Sequence, residues 1–188
     1  LELRIDAGEL AGTATSIKVE PASASDFEGY LSFTGTVDPA TLAVSPAEKD
    51  SARILVRNAL KHLNYKGCEI IIRINPVDTD YWQLDLNEVV PLKPNLIMPP
   101  KVSCAEDVKI VSNYIAELEE KYGMEKNTVK LIPLIETALG VENAYQIASA
   151  DERVAAIFLG GEDLTADLRC KRTKEGNESF YSRSRTGV

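Results

Sequence analysis

The chain has 188 residues, of which 44% are hydrophobic and 27% are charged, as in globular proteins that bury a core. With 21 Lys and Arg against 29 Asp and Glu, the formal charge of −8 argues against a surface for duplex DNA or for anionic membranes. No apolar run approaches the ~20 residues that span a bilayer, and the N-terminus shows no secretory signal. We therefore expect a cytoplasmic protein that binds neither nucleic acid nor membrane.

Two regions of the chain differ in composition. Residues 1–44 are rich in Ala, Ser, Thr and Gly, and their short alternating stretches predict short strands and turns, or a partly ordered appendage. From residue 45 onward, helical and strand patterns alternate. We therefore predict an N-terminal appendage over residues 1–44 and an α/β domain over residues 45–188.

The α/β domain begins with a helix whose N-cap is predicted at Ser45, with Glu48 completing a capping box, and whose end is predicted at Gly67. A second capping box, Ser103 with Glu106, is predicted to start a later helix, whose apolar face is predicted to consist of Val108, Val111, Ile115 and Leu118. The charged turn at 151–153 is predicted to be solvated. The predicted strands cover 68–75, 95–98, 129–135 and 154–159, and the later helices cover 81–90, 103–123 and 137–149.

This strand–helix alternation requires parallel strands with crossover helices. The strands are apolar on both faces, which is typical of a parallel barrel or a doubly wound sheet. A complete (β/α)8 barrel needs about 250 residues, whereas residues 45–188 supply a leading helix and four strands. We predict about half the strands of such a barrel. Three explanations remain open: the sheet is an open one, the chain is a fragment, or segments absent from this sequence close the barrel.

The cysteines and the histidine of the chain argue against several kinds of catalytic and metal site. The three cysteines form no C-x-x-C pair and suit neither a zinc knuckle nor a disulfide framework, so we interpret them as thiols in a reducing cytosol. The only histidine, His62, lies within a helical pattern. One histidine without a C-x-x-C pair argues against Ser-His-Asp, Cys-His and His-rich zinc sites.

Charged residues stand where the predicted strands end, the edge at which function collects in parallel α/β sheets. Arg73 ends the first strand, Lys101 follows the second, Glu136 the third and Asp163 the fourth. A carboxylate leaving a buried strand is costly unless something pairs with it. Two carboxylates on neighbouring strand ends suit Mg²⁺, which keeps several waters and accepts substrate oxygens.

Other residues at this edge suit an anionic ligand. Arg73 offers a planar fork for a carboxylate, and we expect the backbone N–H groups of Gly160 and Gly161 to be open to an anion. The structural alternatives are ion pairs, Glu136 with Arg73 or Asp163 with Lys101. Asp163 could equally be the N-cap of a following helix.

The motifs along residues 45–185 resemble the citrate lyase β-subunit family, also called the HpcH/HpaI aldolase/citrate lyase superfamily. Their order and spacing match that family, including the 27-residue gap between Glu136 and Asp163. The motifs that carry the resemblance are SPAEKDSAR (45–53), VRNAL (56–60), IIRINP (71–76), IMPPKV (97–102), SCAEDV (103–108), LIPLIETALGVENAYQIA (131–148), FLGGEDLTADL (158–168) and YSRSR (181–185).

The resemblance implies a TIM barrel that binds Mg²⁺, or Mn²⁺, through Glu136 and Asp163. It implies that Arg73 grips the carboxylate of an α-keto acid, and that substrate also contacts the Gly160–Glu162 segment (Gly160, Gly161 and Glu162). Arg73, Glu136 and Asp163 would be the catalytic residues. The implied reaction is retro-aldol cleavage of a citryl-type thioester, carried on a CoA-type group, to an acetyl thioester and oxaloacetate.

The resemblance also implies a homo-oligomer, a trimer or hexamer, or association with other citrate lyase subunits. A citramalyl- or malyl-CoA lyase on the same scaffold is the alternative, and a non-catalytic fragment or assembly subunit is a third interpretation. The chain departs from the family pattern at residues 41–44, where an acidic pair usually precedes SPAEK, and the family's last two strands have no counterpart before Val188. Residues 7–21 faintly resemble the acyl-carrier (γ) subunit, with Ser16 nearest to the prosthetic-group serine.

Overall fold

The structure, a computed structural model, describes residues 48–187 together with two short strands, β1 (Ile17–Lys18) and β2 (Ser32–Phe33). These strands pair antiparallel, in keeping with the short strands predicted there. The predicted Ser45 cap, the boundary at residue 44 and the Ser16 resemblance lie outside the described residues. The chain divides into two compact units, residues 1–68 and 69–188.

In the first unit, helix α1 spans Lys49–His62. Acidic Asp50 lies in its first turn and basic Lys61 and His62 lie in its last turn, an arrangement that complements the helix dipole. The helix ends more than one turn before Gly67, so the predicted end was wrong. Gly67 instead lies in a turn and adopts a φ of 80°, a conformation that favours glycine.

The second unit is built on four parallel strands, one of them in two pieces. β4 lies between β3 and β5, and β6 pairs with β7. β5 and β6 are parts of the single strand predicted over 129–135, and Pro133, which lacks an N–H, lies between them. The strands are β3 (Ile71–Arg73), β4 (Leu96–Met98), β5 (Lys130–Leu131), β6 (Leu134–Ile135) and β7 (Phe158–Leu159).

Backbone contacts join these pieces into one sequential order. The N–H of Val102, just after β4, donates to the carbonyl of Leu134 in β6 at 3.1 Å. Leu131 in β5 forms a parallel bridge with Val154, ahead of β7. The prediction of parallel strands is therefore confirmed, their order in the sheet follows the chain, and their carboxyl ends share one edge of the sheet.

Helices connect the strands, as the alternation predicted. The predicted helix over 137–149 is two short helices that meet at Asn143, and Gly160, not Asp163, is the N-cap of the helix after β7. No helix among residues 48–187 has the length and apolar character needed to cross a membrane. The helices are α2 (Trp82–Val89, followed by a 3₁₀ turn at Val90–Leu92), α3 (Ala105–Lys121), α4 (Ala138–Glu142), α5 (Ala144–Ala148), α6 (Gly161–Asp167) and α7 (Phe180–Thr186, preceded by a 3₁₀ turn at Asn177–Ser179).

Helix α3 begins one residue later than predicted. Its N-cap is Cys104, and the carboxylate of Asp107 accepts hydrogen bonds from the N–H groups of Ser103 and Cys104 at 2.8 and 3.1 Å. The predicted Ser103–Glu106 box was therefore wrong by one position. The Ser103 hydroxyl lies 3.0 Å from that of Thr137 instead, and so ties the start of α3 to the residue after Glu136.

The core lies between the sheet and its helices. The apolar stripe predicted on α3, namely Val108, Val111, Ile115 and Leu118, is buried, as are the strand residues Ile97, Leu131 and Ile135. Burial of such side chains stabilises the fold by roughly 1.5–3 kcal/mol each. The sheet is therefore a rigid base for the side chains at its carboxyl edge.

A buried ion pair lies at the opposite, amino edge. Arg153, only 1% exposed, donates two hydrogen bonds to Glu119 at 2.8 and 2.9 Å, and a further one to the carbonyl of Val129. The N–H groups of Asn127 and Val129 also donate to Glu119, both at 3.0 Å. The prediction of a solvated turn was therefore wrong for Arg153.

Candidate functional site

The carboxyl edge of the sheet brings together one basic and two acidic side chains. Lys101 follows β4, Glu136 follows β6, and Asp163 lies in the first turn of α6 after β7. Glu136 is only 8% exposed, and its Oε2 accepts the backbone N–H of Lys101 at 3.1 Å. Its Oε1 accepts no hydrogen bond from any residue in the described part of the chain, so one oxygen of a buried carboxylate is left for a ligand.

The electrostatic environment disfavours the charged form of Glu136. Burial raises the pKa of its carboxyl group, and the negative charge of Asp163 adds to this effect. The N–H of Lys101 and the positive charges of Arg73 and Lys101 act in the opposite direction without cancelling it. A buried acid with a raised pKa at a strand end is typical of a functional site, because a structural acid would be satisfied by its neighbours.

Asp163 is the second carboxylate of the site. Its Oδ2 lies 3.7 Å from the Nζ of Lys101, and each side chain is 54% exposed. Of the two ion pairs considered as alternatives, this one is present, whereas Arg73 and Glu136 form no direct salt bridge. Because the Lys101–Asp163 pair is exposed, it is worth only about 0–1 kcal/mol.

Gly160 allows Glu136 to lie against the start of α6. Its φ is −89°, which any residue can adopt, but an added Cβ would lie 2.6 Å from Cγ and 2.8 Å from Oε1 of Glu136. Its N–H donates to the carbonyl of Ile135 at 2.9 Å. The expectation that this N–H is open to an anion was therefore wrong, because it continues the parallel ladder between β6 and β7.

The remaining predicted residues lie around this centre. Arg73 ends β3, is exposed, and pairs in register with Met98 of β4. Glu162 forms an ion pair with Arg172, so the structure places its carboxylate on that guanidinium. A cavity of about 340 Å³ adjoins Gly161, and Arg172 and Arg183 contribute to its lining.

The sequence placed Lys101 at a strand end and in an alternative ion pair, but it did not predict that Lys101 contacts Glu136. Its backbone adopts a φ of 54°, and its N–H donates to Oε2 of Glu136 at 3.1 Å. A lysine carries no sequence signal for the left-handed region, which favours Gly, Asn and Asp. The only sequence signal was the basic residue following Pro99 and Pro100.

The donor set fits a hard divalent cation. Within residues 48–187 no group of three or more His, Cys, Asp or Glu side chains could hold a metal alone. Glu136 and Asp163 would supply two carboxylate ligands, and Mg²⁺ commonly takes one or two carboxylates and fills its other positions with water and substrate oxygens. The uncommitted Oε1 of Glu136 has the chemistry of such a ligand.

Comparison with known proteins gives the family. The family model for HpcH/HpaI aldolase/citrate lyase matches residues 41–187. The chain belongs to this family. It is similar to the citrate lyase subunit beta of Haemophilus influenzae, with 41% identity over 141 residues that cover 75% of this chain and 48% of that protein.

Further relatives cover similar fractions. The citrate lyase subunit beta of Leuconostoc mesenteroides subsp. cremoris is 39% identical over 76% of this chain and 47% of its own length. The L-malyl-CoA/beta-methylmalyl-CoA lyase of Cereibacter sphaeroides is 33% identical over 74% of this chain and 45% of its own length. The chain therefore spans about half the length of the curated relatives it matches.

Solved structures support the predicted fold class. The citrate lyase beta subunit of Mycobacterium tuberculosis complexed with oxaloacetate and magnesium matches with a TM-score of 0.56 and 24% identity, over 76% of this chain and 57% of that chain. A structure of CitE from the same organism with magnesium, acetoacetate and coenzyme A gives 0.55 and 25%, over 76% and 48%. The α/β fold is therefore of the TIM-barrel-like aldolase type, as predicted.

Proposed function

We propose that this chain carries the metal-binding and keto-acid-binding edge of a Mg²⁺-dependent carbon–carbon lyase of the citrate lyase β type. One observation carries the proposal: a buried carboxylate, Glu136, has an uncommitted oxygen and feels the negative charge of a second carboxylate, Asp163, in the first turn of the helix after the neighbouring strand. Enzymes of this kind cleave a citryl-type thioester to an acetyl thioester and oxaloacetate.

The chemistry is a retro-aldol cleavage. The substrate hydroxyl loses its proton as the adjacent carbon–carbon bond breaks, and its carbon becomes the ketone of oxaloacetate. The electron pair of the broken bond passes to the methylene carbon of the acetyl thioester, which takes up a proton. A divalent cation, Mg²⁺ or Mn²⁺, would polarise the oxygen that becomes the carbonyl.

The chain's own residues would bind and orient the substrate. Glu136 and Asp163 would hold the cation, and burial of Glu136 keeps water from competing on one side. Arg73 would bind the keto-acid carboxylate, since a guanidinium fork pairs with a carboxylate through two parallel hydrogen bonds. These three residues remain our proposed catalytic set, while Gly160, Gly161 and Glu162 would border the substrate.

Substrate, carrier and partners are proposed from the relatives. One related structure holds oxaloacetate and magnesium, and another holds magnesium, acetoacetate and coenzyme A, which supports a CoA-type thioester as carrier and an α-keto acid as product. We propose a homo-oligomer or assembly with other citrate lyase subunits, in the cytoplasm, where the three unpaired cysteines would stay reduced. We also propose that residues 45–188 form about half of a barrel, with residues 1–44 as an appendage.

Two other functions remain as alternatives. The 33% identity to an L-malyl-CoA/beta-methylmalyl-CoA lyase favours a malyl-type thioester as the second candidate, with glyoxylate as product. The higher identity to citrate lyase subunits, 41%, favours the citryl substrate. Coverage of about half of these relatives is the reason to keep a non-catalytic or assembly role as the third.

A cleavage assay tests the proposal. The purified chain is incubated with citryl and malyl thioesters, with Mg²⁺ or with EDTA, and release of oxaloacetate or glyoxylate is followed. We expect Mg²⁺-dependent release of oxaloacetate from the citryl thioester. Preferential release of glyoxylate would favour the malyl alternative. If a metal-loaded chain released neither keto acid, it would not be a lyase by itself.

A further inference from the structure

Lys101 occupies an unusual backbone conformation at the carboxyl edge. Its φ of 54° lies in the left-handed region, which is unfavourable for a residue with a Cβ. Backbone strain of this kind persists where the surrounding structure fixes it, and it clusters at functional sites.

Another lysine in the same unit has an ordinary reason for the same conformation. Lys93, with a φ of 57°, ends the 3₁₀ turn after α2, and its N–H donates to the carbonyl of Val90 at 2.9 Å. Left-handed residues commonly terminate helices in this way. Lys101 follows a strand, so helix termination does not explain its conformation.

The left-handed turn lets one residue contact both carboxylates. The backbone N–H of Lys101 donates to Oε2 of Glu136 at 3.1 Å, and its Nζ lies 3.7 Å from Oδ2 of Asp163. Without a cation, the two carboxylates repel each other. The ammonium group of Lys101 reduces that repulsion while the backbone N–H fixes Glu136.

Moving the Lys101 ammonium away from Asp163 costs little free energy. The pair with Asp163 is half-exposed on both sides, and such pairs contribute little to stability. The four-carbon stem of lysine is flexible, so the head group can move into solvent without disturbing the backbone. A divalent cation bound between the carboxylates carries twice its charge and would displace it.

We propose that Lys101 is a positioning residue that holds the carboxylate pair ready, its ammonium occupying the place beside Asp163 until the divalent cation arrives. The inference rests on the proposed metal-binding function of this site. It assigns two separable tasks to one residue: the backbone N–H orients Glu136 in both states, and the ammonium competes with the metal.

Substitution of the side chain alone separates the tasks. Lys101→Met keeps the backbone N–H and the length of the stem but removes the charge. Because an exposed ion pair is worth up to about 1 kcal/mol, Mn²⁺ should bind Lys101→Met about two- to fivefold more tightly than wild type. Lys101→Arg should restore an affinity near that of wild type. The gain should shrink in 0.5 M salt because exposed charges are then screened.

Calorimetric titration with Mn²⁺ at pH 8 makes the measurement. Lys93→Met is the matched control, since it removes the same side chain from the same backbone conformation away from the site, and it should bind Mn²⁺ like wild type. Lys101→Gln provides a second neutral variant should the Met variant fold poorly. Equal or weaker Mn²⁺ binding by the neutral variants would overturn this inference alone. A wild-type protein that bound no Mn²⁺ would overturn the proposed function with it.

Discussion

A glutamate is buried at each of the two edges of the sheet, and the two glutamates differ in the hydrogen bonds that they accept. At the amino edge, Glu119 accepts two hydrogen bonds from Arg153 and two from backbone N–H groups. At the carboxyl edge, Glu136 accepts one backbone N–H, from Lys101, and no side-chain hydrogen bond from the described residues. Both residues are at least nine-tenths buried.

Their proton affinities differ accordingly. Burial by itself would raise the pKa of Glu119, but the hydrogen bonds from Arg153, Val129 and Asn127 outweigh it and hold that pKa below its usual range. Burial raises the pKa of Glu136, and nothing nearby compensates for it fully. This difference indicates that the buried charge at the amino edge is neutralised within the protein, whereas the buried carboxylate at the carboxyl edge is left to interact with a ligand.

We expect the greatest loss of folding stability from a substitution at the amino edge. Arg153→Met would leave the Glu119 carboxylate buried without its partner, and breaking such a pair costs about 3–5 kcal/mol of the free energy of unfolding. Urea denaturation would measure it. Arg172→Met is the control, because Arg172 pairs with Glu162 in the open and should lose less than about 1 kcal/mol. A loss below 1 kcal/mol for Arg153→Met would show that the amino edge is not held by this pair.

Gly160→Ala tests the packing of the carboxyl edge. The new methyl group would overlap the Glu136 carboxylate, so that side chain must move, and we expect metal affinity to fall about tenfold. Gly161→Ala is the neighbouring control, because its Cβ would meet the Arg172 guanidinium at an ordinary 3.5 Å. Mn²⁺ titration compares the two. Similar affinities in both variants would mean that Glu136 does not need its observed position.

The smallest effect concerns pH. The depressed pKa of Glu119 gives stability that is present above the unfolded pKa of about 4.3 and is lost as pH falls through its folded pKa. The pKa of Glu136 is raised in the folded protein, so its contribution has the opposite pH dependence. That contribution to stability is present below pH 4.3, roughly the unfolded pKa, and is lost as pH rises through the folded pKa. At pH 7, without metal, Glu119→Gln should therefore be less stable than wild type and Glu136→Gln more stable.

Urea denaturation at several pH values between 3 and 7 would follow both variants. The two differences from wild type should have opposite signs, and both should shrink on acidification as the wild-type carboxylates become protonated. If the two variants shifted stability in the same direction, the contrast between the edges would not be electrostatic.

The sequence predicted the fold well where local and long-range signals agreed. The periodicity of α3 identified its buried face, Val108 to Leu118, and β-branched runs located all four strands of the sheet. The sequence did not predict where some helices end or where elements are interrupted. Pro133 divides one strand, Asn143 divides one helix, and α1 ends well before Gly67, because tertiary contacts decide such details.

The candidate site was predicted in part for a similar reason. Strand ends placed Glu136, Asp163 and Arg73 at one edge, since parallel strands share their polarity. The N–H of Gly160 is used in the hydrogen-bond ladder because of the strand register, which the sequence does not show. The left-handed backbone of Lys101 is likewise not indicated by its residue type. Arg153 was mistaken for a solvated residue because its partner, Glu119, is 34 residues away in the chain.

If Glu136 and Asp163 jointly hold a divalent cation, titration with Mg²⁺ or Mn²⁺ will distinguish wild type from Glu136→Gln. The substitution keeps the size of the side chain and removes one of two charged ligands. We predict that wild type binds the cation and that Glu136→Gln binds it at least about tenfold more weakly, while remaining folded. Equal affinity in the two proteins would contradict joint binding of the cation by Glu136 and Asp163.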